Sequence, residues 1–283
     1  MAYKIITHDR KAHIDEVLAS ALLSIHLGEE PTEIIRMSSQ LASEKVKQSE
    51  PDPDVWFLDC GMVHDPERRL FDHHQDNQLG CAASLVFQEF FPHLQDSELA
   101  DYIQLVSKVD TRGLRVLDDY DEVHESQSYW SFSQKLLMKS FETNPKAIVT
   151  LFREGLEDKI RFEQAKKKAS LWLETEHHTE IQRVGEINVL LYHVQPPEEL
   201  ASAIRAVDGK IVDEHEIDAI YSFDDKEPEN RVFFRTNGGH DRLDFTRSSP
   251  AHIAFCHQGG FLMKFIPEND QEWIKIIKAS ALA

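Results

Sequence analysis

Short apolar segments alternate with amphipathic helix patterns along the N-terminal part of the chain, and this alternation constrains the fold more than any other feature. It predicts strands at residues 3–7, 32–37 and 55–58, and helices at residues 15–27 and 40–48. The segment VWFL at residues 55–58 is a bare apolar run of the kind that is buried on both faces. Because strands joined by helices pair in parallel through right-handed crossovers, this order predicts a mainly parallel α/β sheet.

A long charged stretch with helical periodicity divides the rest of the chain. We predict a first domain at residues 1–144, a helical connector at 145–184 with the pair His177-His178 on its solvated face, and a second, smaller α/β domain at 185–283. Elements of the second domain are predicted as strands at 187–194, 219–223, 231–235 and 261–266, and a helix at 197–206.

Composition excludes several classes of protein. The 283 residues include 50 Asp and Glu against 31 Lys and Arg, so the net charge of -19 excludes an overall basic surface for nucleic acid, and no long duplex is expected as a partner. The three cysteines form no CxxC pair, which disfavours a disulfide framework and a thiolate zinc site. Because no apolar run approaches the ~20 residues of a membrane helix and no signal peptide is evident, we expect a cytoplasmic protein without a membrane partner.

Histidine and aspartate residues stand where the predicted strands end. Ligands collect at the carboxyl ends of the strands in an open parallel sheet, so these side chains are expected to share one edge. They are His8 after the first strand, His13 and Asp15 in the next loop and helix start, Asp59 after the third strand, Asp72, His73 and His74 after a short strand at 70–71, and Asp110 at the end of a helix over 97–109.

This residue set favours a metal site. Imidazole and carboxylate ligands without thiolate suit manganese, magnesium, iron or cobalt. Their number exceeds what one octahedral ion needs, and Asp59 is the natural candidate to bridge two ions. Two ions about 3.5–4 Å apart stabilise both the attacking and the leaving oxygen of an in-line phosphoryl displacement. Taken singly, each residue has another explanation, since Asp15 alone could be a helix N-cap; the joint pattern favours ligands.

Basic and glycine-rich segments near the C-terminus are candidates for holding a phosphate. Arginine offers bidentate contacts to phosphate oxygens, and glycine lets the backbone approach them. The alternative is a hairpin turn at 237–238 with exposed arginines. Phe233 or Phe261 could stack on a base, although a core position is also open to both. The candidate segments contain Arg231, Arg235, Arg242, Arg247 and Lys264, with Gly238, Gly239, His257, Gly259 and Gly260.

Several of these motifs together resemble the DHH phosphoesterase superfamily, and within it the compact bacterial form of the melanocyte-proliferating-gene family. The matching segments are 7–16 (THDRKAHIDE), 58–61 (LDCG), 64–75 (HDPERRLFDHHQ) and 109–113 (VDTRG). Arg10 replaces the usual glycine of the first motif and Ala12 the usual aromatic residue. The resemblance is looser in the C-terminal part, where only 255–261 (FCHQGGF) is similar to a family element.

The resemblance implies roles for particular residues. It implies that one of His8 and His13, together with Asp15, Asp59, His73 and Asp110, holds two divalent ions, with manganese as the first choice and magnesium, iron or cobalt as alternatives. His74 would lie beside the transferred phosphate, and Asp72 would fix an imidazole tautomer. Asp59, Asp72 and His74 are thus the expected catalytic residues. The expected substrate-binding residues are Arg235, Arg247, His257, Gly259 and Gly260.

The sequence therefore predicts a metal-dependent phosphoesterase that hydrolyses phosphodiester bonds, and the family's members indicate a 3′–5′ exonuclease acting on short RNA or DNA. Its partner would be a short oligonucleotide or a nucleotide-like phosphoester, and a homo-oligomer is compatible with the sequence. One alternative is a small-molecule phosphomonoesterase or pyrophosphatase. Another is a non-catalytic binding protein that keeps the fold, which the intact set of His and Asp residues disfavours.

Overall fold

The structure is a computed structural model that describes residues 2–48, 52–76, 78–113, 128–224, 226–227 and 229–282. The chain is a mixed α/β protein with two compact units, Met1–Glu163 and Gln164–Ala283. Across the described residues, no helix is both long enough and apolar enough to cross a membrane.

The first unit contains a five-stranded sheet in the order β2-β1-β3-β5-β4. β1 pairs in parallel with β2 and β3, and β3 with β5, so the predicted parallel character is present in four strands. The edge strand β4 is antiparallel and has two residues, which is too short to leave a periodic signal. The strands are β1 (Lys4–His8), β2 (Glu33–Met37), β3 (Val55–Leu58), β4 (His64–Asp65) and β5 (Leu70–Phe71).

Six described helices accompany this sheet. They are α1 (Ile14–Leu27), α2 (Ser39–Gln48), α3 (Ala82–Phe90), α4 (Glu98–Arg112), α5 (Ser128–Thr143) and α6 (Pro145–Leu173). The predicted helices of this unit are found within a few residues of their expected bounds. Asp110 lies inside α4 rather than at its end, because the helix continues for two further residues.

Helix α1 is the centre of the first core. Val17, Leu18 and Leu22 are at most 1% exposed, and each such buried side chain contributes roughly 1.5–3 kcal/mol. Gly28 closes the helix with a φ of 70°, and its N–H donates to the carbonyl of Ile25. Residues 15–24 are all buried, which holds α1 in place beside the sheet. The first turn of α1 carries the acidic residues Asp15 and Glu16.

The second unit has a six-stranded sheet in the order β10-β11-β9-β8-β7-β6. Its pairs are antiparallel except β7 with β8, so this unit departs from a parallel α/β design because hairpins, rather than helical crossovers, join most neighbours. The elements are β6 (Thr179–Val184), β7 (Ile187–Tyr192), α7 (Ala201–Val207), α8 (Gly209–Glu214), β8 (Ala219–Phe223), β9 (Arg231–Arg235), β10 (Ile253–Cys256), β11 (Leu262–Phe265) and α9 (Glu272–Ser280).

The predicted helical connector is helical only to Leu173. Residues 179–184 form β6 instead, because a tight turn at Gly185, with a φ of 65°, folds them back onto β7. The pair His177-His178 therefore does not lie on a helix. The ring of His178 packs 4.5 Å from that of Trp172, and its Nδ1 lies 2.9 Å from the Trp172 carbonyl oxygen.

A buried acid in the second unit gives a pH-dependent stability. The Tyr192 hydroxyl donates to Asp208 Oδ2 at 2.8 Å, and burial raises the pKa of Asp208 to about 6 despite this hydrogen bond. Because the folded pKa lies above the usual 3.8, ionisation penalises the folded state, and stability falls as the pH rises from about 4 to about 6. We expect Asp208→Asn to remove this loss, so that the variant gains about 2–3 kcal/mol relative to the native chain between pH 4 and pH 7.

Urea unfolding of the native protein and of Asp208→Asn at pH 4 and at pH 7 measures this difference in the free energy of unfolding. Asp213→Asn, at an exposed carboxylate of α8, is the control and should leave the pH dependence unchanged. An Asp208→Asn protein whose stability follows the native curve across this range would contradict the assignment.

Candidate metal centre

Parallel pairing brings the candidate ligands to one edge of the first sheet. β1 ends at His8, β3 is followed by Asp59, and β5 is followed by Asp72 and His73. Strands that run in the same direction end at the same edge, so residues far apart in sequence become neighbours there. Asp15, in the first turn of α1, and Asp110, near the end of α4, complete the cluster.

Asp59 lies at the centre of the cluster. Its Oδ2 is 3.2 Å from His8 Nε2, and its Oδ1 is 3.3 Å from His73 Nε2 and 3.6 Å from His74 Nδ1. Its φ is 56°, a left-handed conformation that aspartate tolerates better than most residues and that costs about 1–2 kcal/mol. The Asp59 N–H donates to the Phe71 carbonyl at 2.9 Å, which holds this strained turn in place. The carboxylate is 2% exposed and is therefore presented to three imidazoles at once.

The described residues form three overlapping groups whose ligand atoms all lie within 4.8 Å of one another. The groups are His8–His13–Asp59, Asp59–His73–His74 and His13–Asp15–Asp110. The sequence left open whether His8 or His13 provides a ligand, and the geometry places both beside Asp59. Two groups share Asp59 and two share His13. The role of each residue as a ligand remains a prediction.

Unpartnered polar atoms show that the cluster suits cations. Both carboxylate oxygens of Asp15 and Nδ1 of His73 are buried without a hydrogen bond among the described residues. A buried charge that is left unpaired costs several kcal/mol, so such atoms need a compensating partner. Carboxylate and imidazole donors together fit borderline-to-hard divalent ions, and the residues present therefore fit a metal centre.

Protons and cations compete for this cluster. Burial and the nearby carboxylates of Asp59 and Asp110 raise the pKa of Asp15 well above its usual value. Burial opposes a charge on Asp59 too, but the imidazoles of His73 and His8 outweigh it and lower the pKa of Asp59 to about 2. Burial likewise opposes a charge on His73, yet Asp110 and Asp59 raise its pKa to about 10. Ligation requires neutral imidazole and ionised carboxylate, so binding of a divalent ion would release these protons.

Asp72 and His74 form a separate pair at the rim. Asp72 Oδ1 lies 2.6 Å from His74 Nδ1, and the backbone N–H groups of His74 and Met62 donate to the same carboxylate at 3.1 and 2.6 Å. The pKa of His74 is raised, mainly by its hydrogen bond to Asp72. Asp72 is buried while His74 is half exposed, so Asp72 holds a ring that faces solvent. The positioning role expected for Asp72 remains a prediction.

Two residues of this region were missed by the sequence analysis. Glu16 Oε1 lies 3.5 Å from His8 Nε2, accepts the His13 N–H at 3.1 Å and pairs with Arg36 Nη1 at 3.3 Å. Glu16 follows Asp15 directly, and Arg36 stands near the end of β2, at the same edge as the candidate ligands. The rule that sites form at strand ends could therefore have found Arg36.

The predicted substrate-binding residues lie in the second unit and make contacts within it. Arg235 donates to the carbonyls of Leu243 at 2.6 Å and Gly259 at 3.4 Å, and Arg247 donates to that of Ala281 at 2.9 Å. These contacts hold the loops that surround the sheet of this unit. A role in substrate binding remains a prediction for both arginines.

The glycine loop has a structural requirement of its own. The Gly259 N–H donates to His257 Nδ1 at 3.0 Å. Gly260 has a φ of 65°, and a Cβ there would lie 2.1 Å from Asp244 Oδ1, so no other residue fits without rearrangement. Of the two aromatic candidates, Phe233 is fully buried in the core, while Phe261 packs 4.2 Å from the ring of His257.

The fold and the edge cluster define an α/β protein with a candidate dinuclear metal centre. Residues 4–122 match the sequence model of the MYG1_exonuc family, described as Uncharacterised protein family (UPF0160). The resemblance to the melanocyte-proliferating-gene family is thereby confirmed for a segment that includes every candidate metal ligand.

Comparisons beyond this family give little more. No curated protein matches the chain. A solved structure that it resembles is the crystal structure of RecJ in complex with Mn2+ from Thermus thermophilus, at 12% identity, 98% coverage of this chain, 51% coverage of that chain and a TM-score of 0.29. The chain thus spans about half the length of that protein, and a TM-score this low carries no argument about function.

Binding of a divalent ion should stabilise the fold. A ligand that binds only the folded state at a hundred times its Kd adds about 2.7 kcal/mol, so we expect manganese to raise the melting temperature and a chelator to reverse the effect. Asp15→Asn should respond less to manganese. The metal-free variant should also be more stable than the metal-free native protein, by about 1–3 kcal/mol, because it lacks an unpaired buried carboxylate.

Thermal unfolding by circular dichroism with manganese chloride or EDTA measures both effects. Asp213→Asn serves again as the control and should keep the full response to manganese. Equal responses in the Asp15→Asn and native proteins would show that this cluster does not hold the ion.

Proposed function

We propose that this protein is a metal-dependent phosphoesterase that hydrolyses phosphodiester bonds at the ends of short RNA or DNA, in the 3′–5′ direction. The observation that carries the proposal is the position of Asp59, whose two carboxylate oxygens lie 3.2–3.6 Å from the nitrogens of three imidazoles and belong to two ligand groups. The name of the MYG1_exonuc family agrees with this activity.

The chemistry follows from the kind of centre that the residues can form. A bound pair of divalent ions would supply an activated water and would stabilise charge on the phosphoryl oxygens. Asp59, Asp15 and Asp110 would hold these ions together with the imidazoles that surround Asp59. His13 is 54% exposed on its side chain, so this part of the cluster is open to a substrate from solvent.

We assign His74 to contact with the phosphate. Asp72 accepts from Nδ1 of its ring and favours the protonated imidazolium, whose Nε2–H would donate to a phosphoryl oxygen. A charge-assisted hydrogen bond of this kind grows stronger as negative charge develops in the transition state. Asp72 acts through His74 and is a positioning residue.

Asp59→Asn tests the centre with minimal change in shape. Asparagine also tolerates the left-handed conformation, so the variant should fold, while losing the shared negative charge. We expect the release of mononucleotides from a five-nucleotide RNA in manganese to fall by at least about a hundredfold. Chromatography of the products measures it.

Asp54→Asn is the matched control, because Asp54 is an exposed residue just before β3. It should retain native activity. An Asp59→Asn protein as active as the control would overturn the dinuclear proposal.

A comparison of substrates separates the proposed activity from its alternatives. With manganese, we expect the five-nucleotide RNA to be hydrolysed faster than inorganic pyrophosphate or a mononucleotide diester, and a label at its 3′ end to be released before a label at its 5′ end. Faster turnover of pyrophosphate would identify a small-molecule enzyme. Absence of turnover with manganese, magnesium, iron and cobalt would instead support a binding protein.

A further inference from the structure

A cavity opens beside the loop that joins His8 to His13. It has a volume of about 450 Å³ and is lined by Asp9, Arg10, Lys11, Arg36 and Glu142. Consecutive Cα atoms are about 3.8 Å apart, so the Cα of Arg10 lies within about 8 Å of that of His8. The cavity therefore adjoins the candidate metal centre through the backbone that carries two of its ligands.

Arg36 forms a rigid wall of this cavity. Its side chain is 10% exposed, and its Cζ lies 5.1 Å from the centre of the Phe141 ring. Nη1 donates to Glu16 Oε1 at 3.3 Å, and Nη2 donates to the carbonyl of Arg10. The same guanidinium thus holds the loop and contacts the glutamate that touches His8. Arginine has five N–H donors, so donors remain for a ligand.

Positive charge exceeds negative charge at the cavity. Arg10 and Lys11 are exposed and form no ion pair with a described residue. Of the two carboxylates in the lining, Glu142 is already bound to Lys139 Nζ at 2.6 Å and to the Ala12 N–H at 3.4 Å, which leaves Asp9 as the other negative group. In a chain of net charge -19, a half-buried arginine with two unpaired cations beside it favours an anion at this place.

We propose that Arg10, Lys11 and Arg36 form a subsite for a second phosphate of the substrate, next to the phosphate that is hydrolysed. This inference rests on the proposed function and deepens it, because it assigns a preference for substrates with a phosphate beside the scissile bond. Charge-assisted contacts from arginine and lysine recognise that phosphate, while the metal centre acts on its neighbour. The size of the cavity leaves room for part of the nucleoside that carries the phosphate.

Dinucleotides test the subsite through turnover. We compare a dinucleotide without terminal phosphates with the same dinucleotide carrying a 5′-phosphate or a 3′-phosphate, all with manganese. We expect one phosphorylated form to have a kcat/KM higher by roughly tenfold or more, mainly through a lower KM. Arg10→Gln/Lys11→Gln should lose this advantage, so that its kcat/KM no longer differs among the three dinucleotides. Lys47→Gln/Lys168→Gln, which removes two exposed lysines elsewhere, should keep the advantage.

Binding gives a readout that does not depend on turnover. In proteins that carry Asp59→Asn, fluorescence anisotropy should show roughly tenfold tighter binding of the favoured phosphorylated dinucleotide, and the additional pair of glutamines should abolish that difference. Equal binding and turnover of the three dinucleotides would overturn the subsite and leave the proposed hydrolysis standing. Loss of all turnover in the native protein, with the phosphate-dependent binding intact, would overturn the proposed hydrolysis and support the subsite.

Discussion

Buried carboxylates that face one another at one edge of the first sheet are the constraint on which the rest of this structure depends. Asp15, Glu16, Asp59 and Asp72 are all at most 2% exposed. Such groups repel one another and lose their hydration, so they persist only where imidazoles, backbone N–H groups or cations compensate them. Asp72 has backbone donors and His74, whereas Asp15 has no hydrogen bond at all among the described residues. The edge is therefore built to hold positive charge rather than to stabilise the fold.

The core of the first unit must offset this cost. The buried faces of α1 and the stacked rings of Trp56 and Phe71, with centroids 6.0 Å apart, surround the strands that carry the ligands. This packing also holds Asp59 in its left-handed conformation, since the N–H of Asp59 bonds to the Phe71 carbonyl. The sheet edge at Asp59 tolerates backbone strain and unpaired charge because the neighbouring apolar core holds the backbone in this conformation. The apolar residues of these helices and strands thus provide the stability, and the polar residues at the sheet edge provide the candidate ligands.

The sequence was sufficient to predict the four parallel strands of the first sheet and the edge at which their polar residues meet, because period and strand order are local signals. It did not predict the hairpin of β6 and β7, since Thr179–Val184 continues a charged helical pattern and is turned into a strand by pairing with its neighbour. It also left His8 and His13 as alternatives, although both lie beside Asp59. The distances between side chains in the folded protein decide which of them belong to one cluster. Spacing along the sequence does not give these distances.

The loop between His8 and His13 shows how one segment can combine ligands with a second kind of recognition. Arg10 does not have a positive φ, so the arginine introduces no backbone strain in this loop. Ala12 is buried at 2% exposure, and its N–H donates to Glu142. The ends of the loop are thus fixed by the cluster and by α5, while its middle is free to vary in charge. Variation there can change which anion is recognised without moving a ligand.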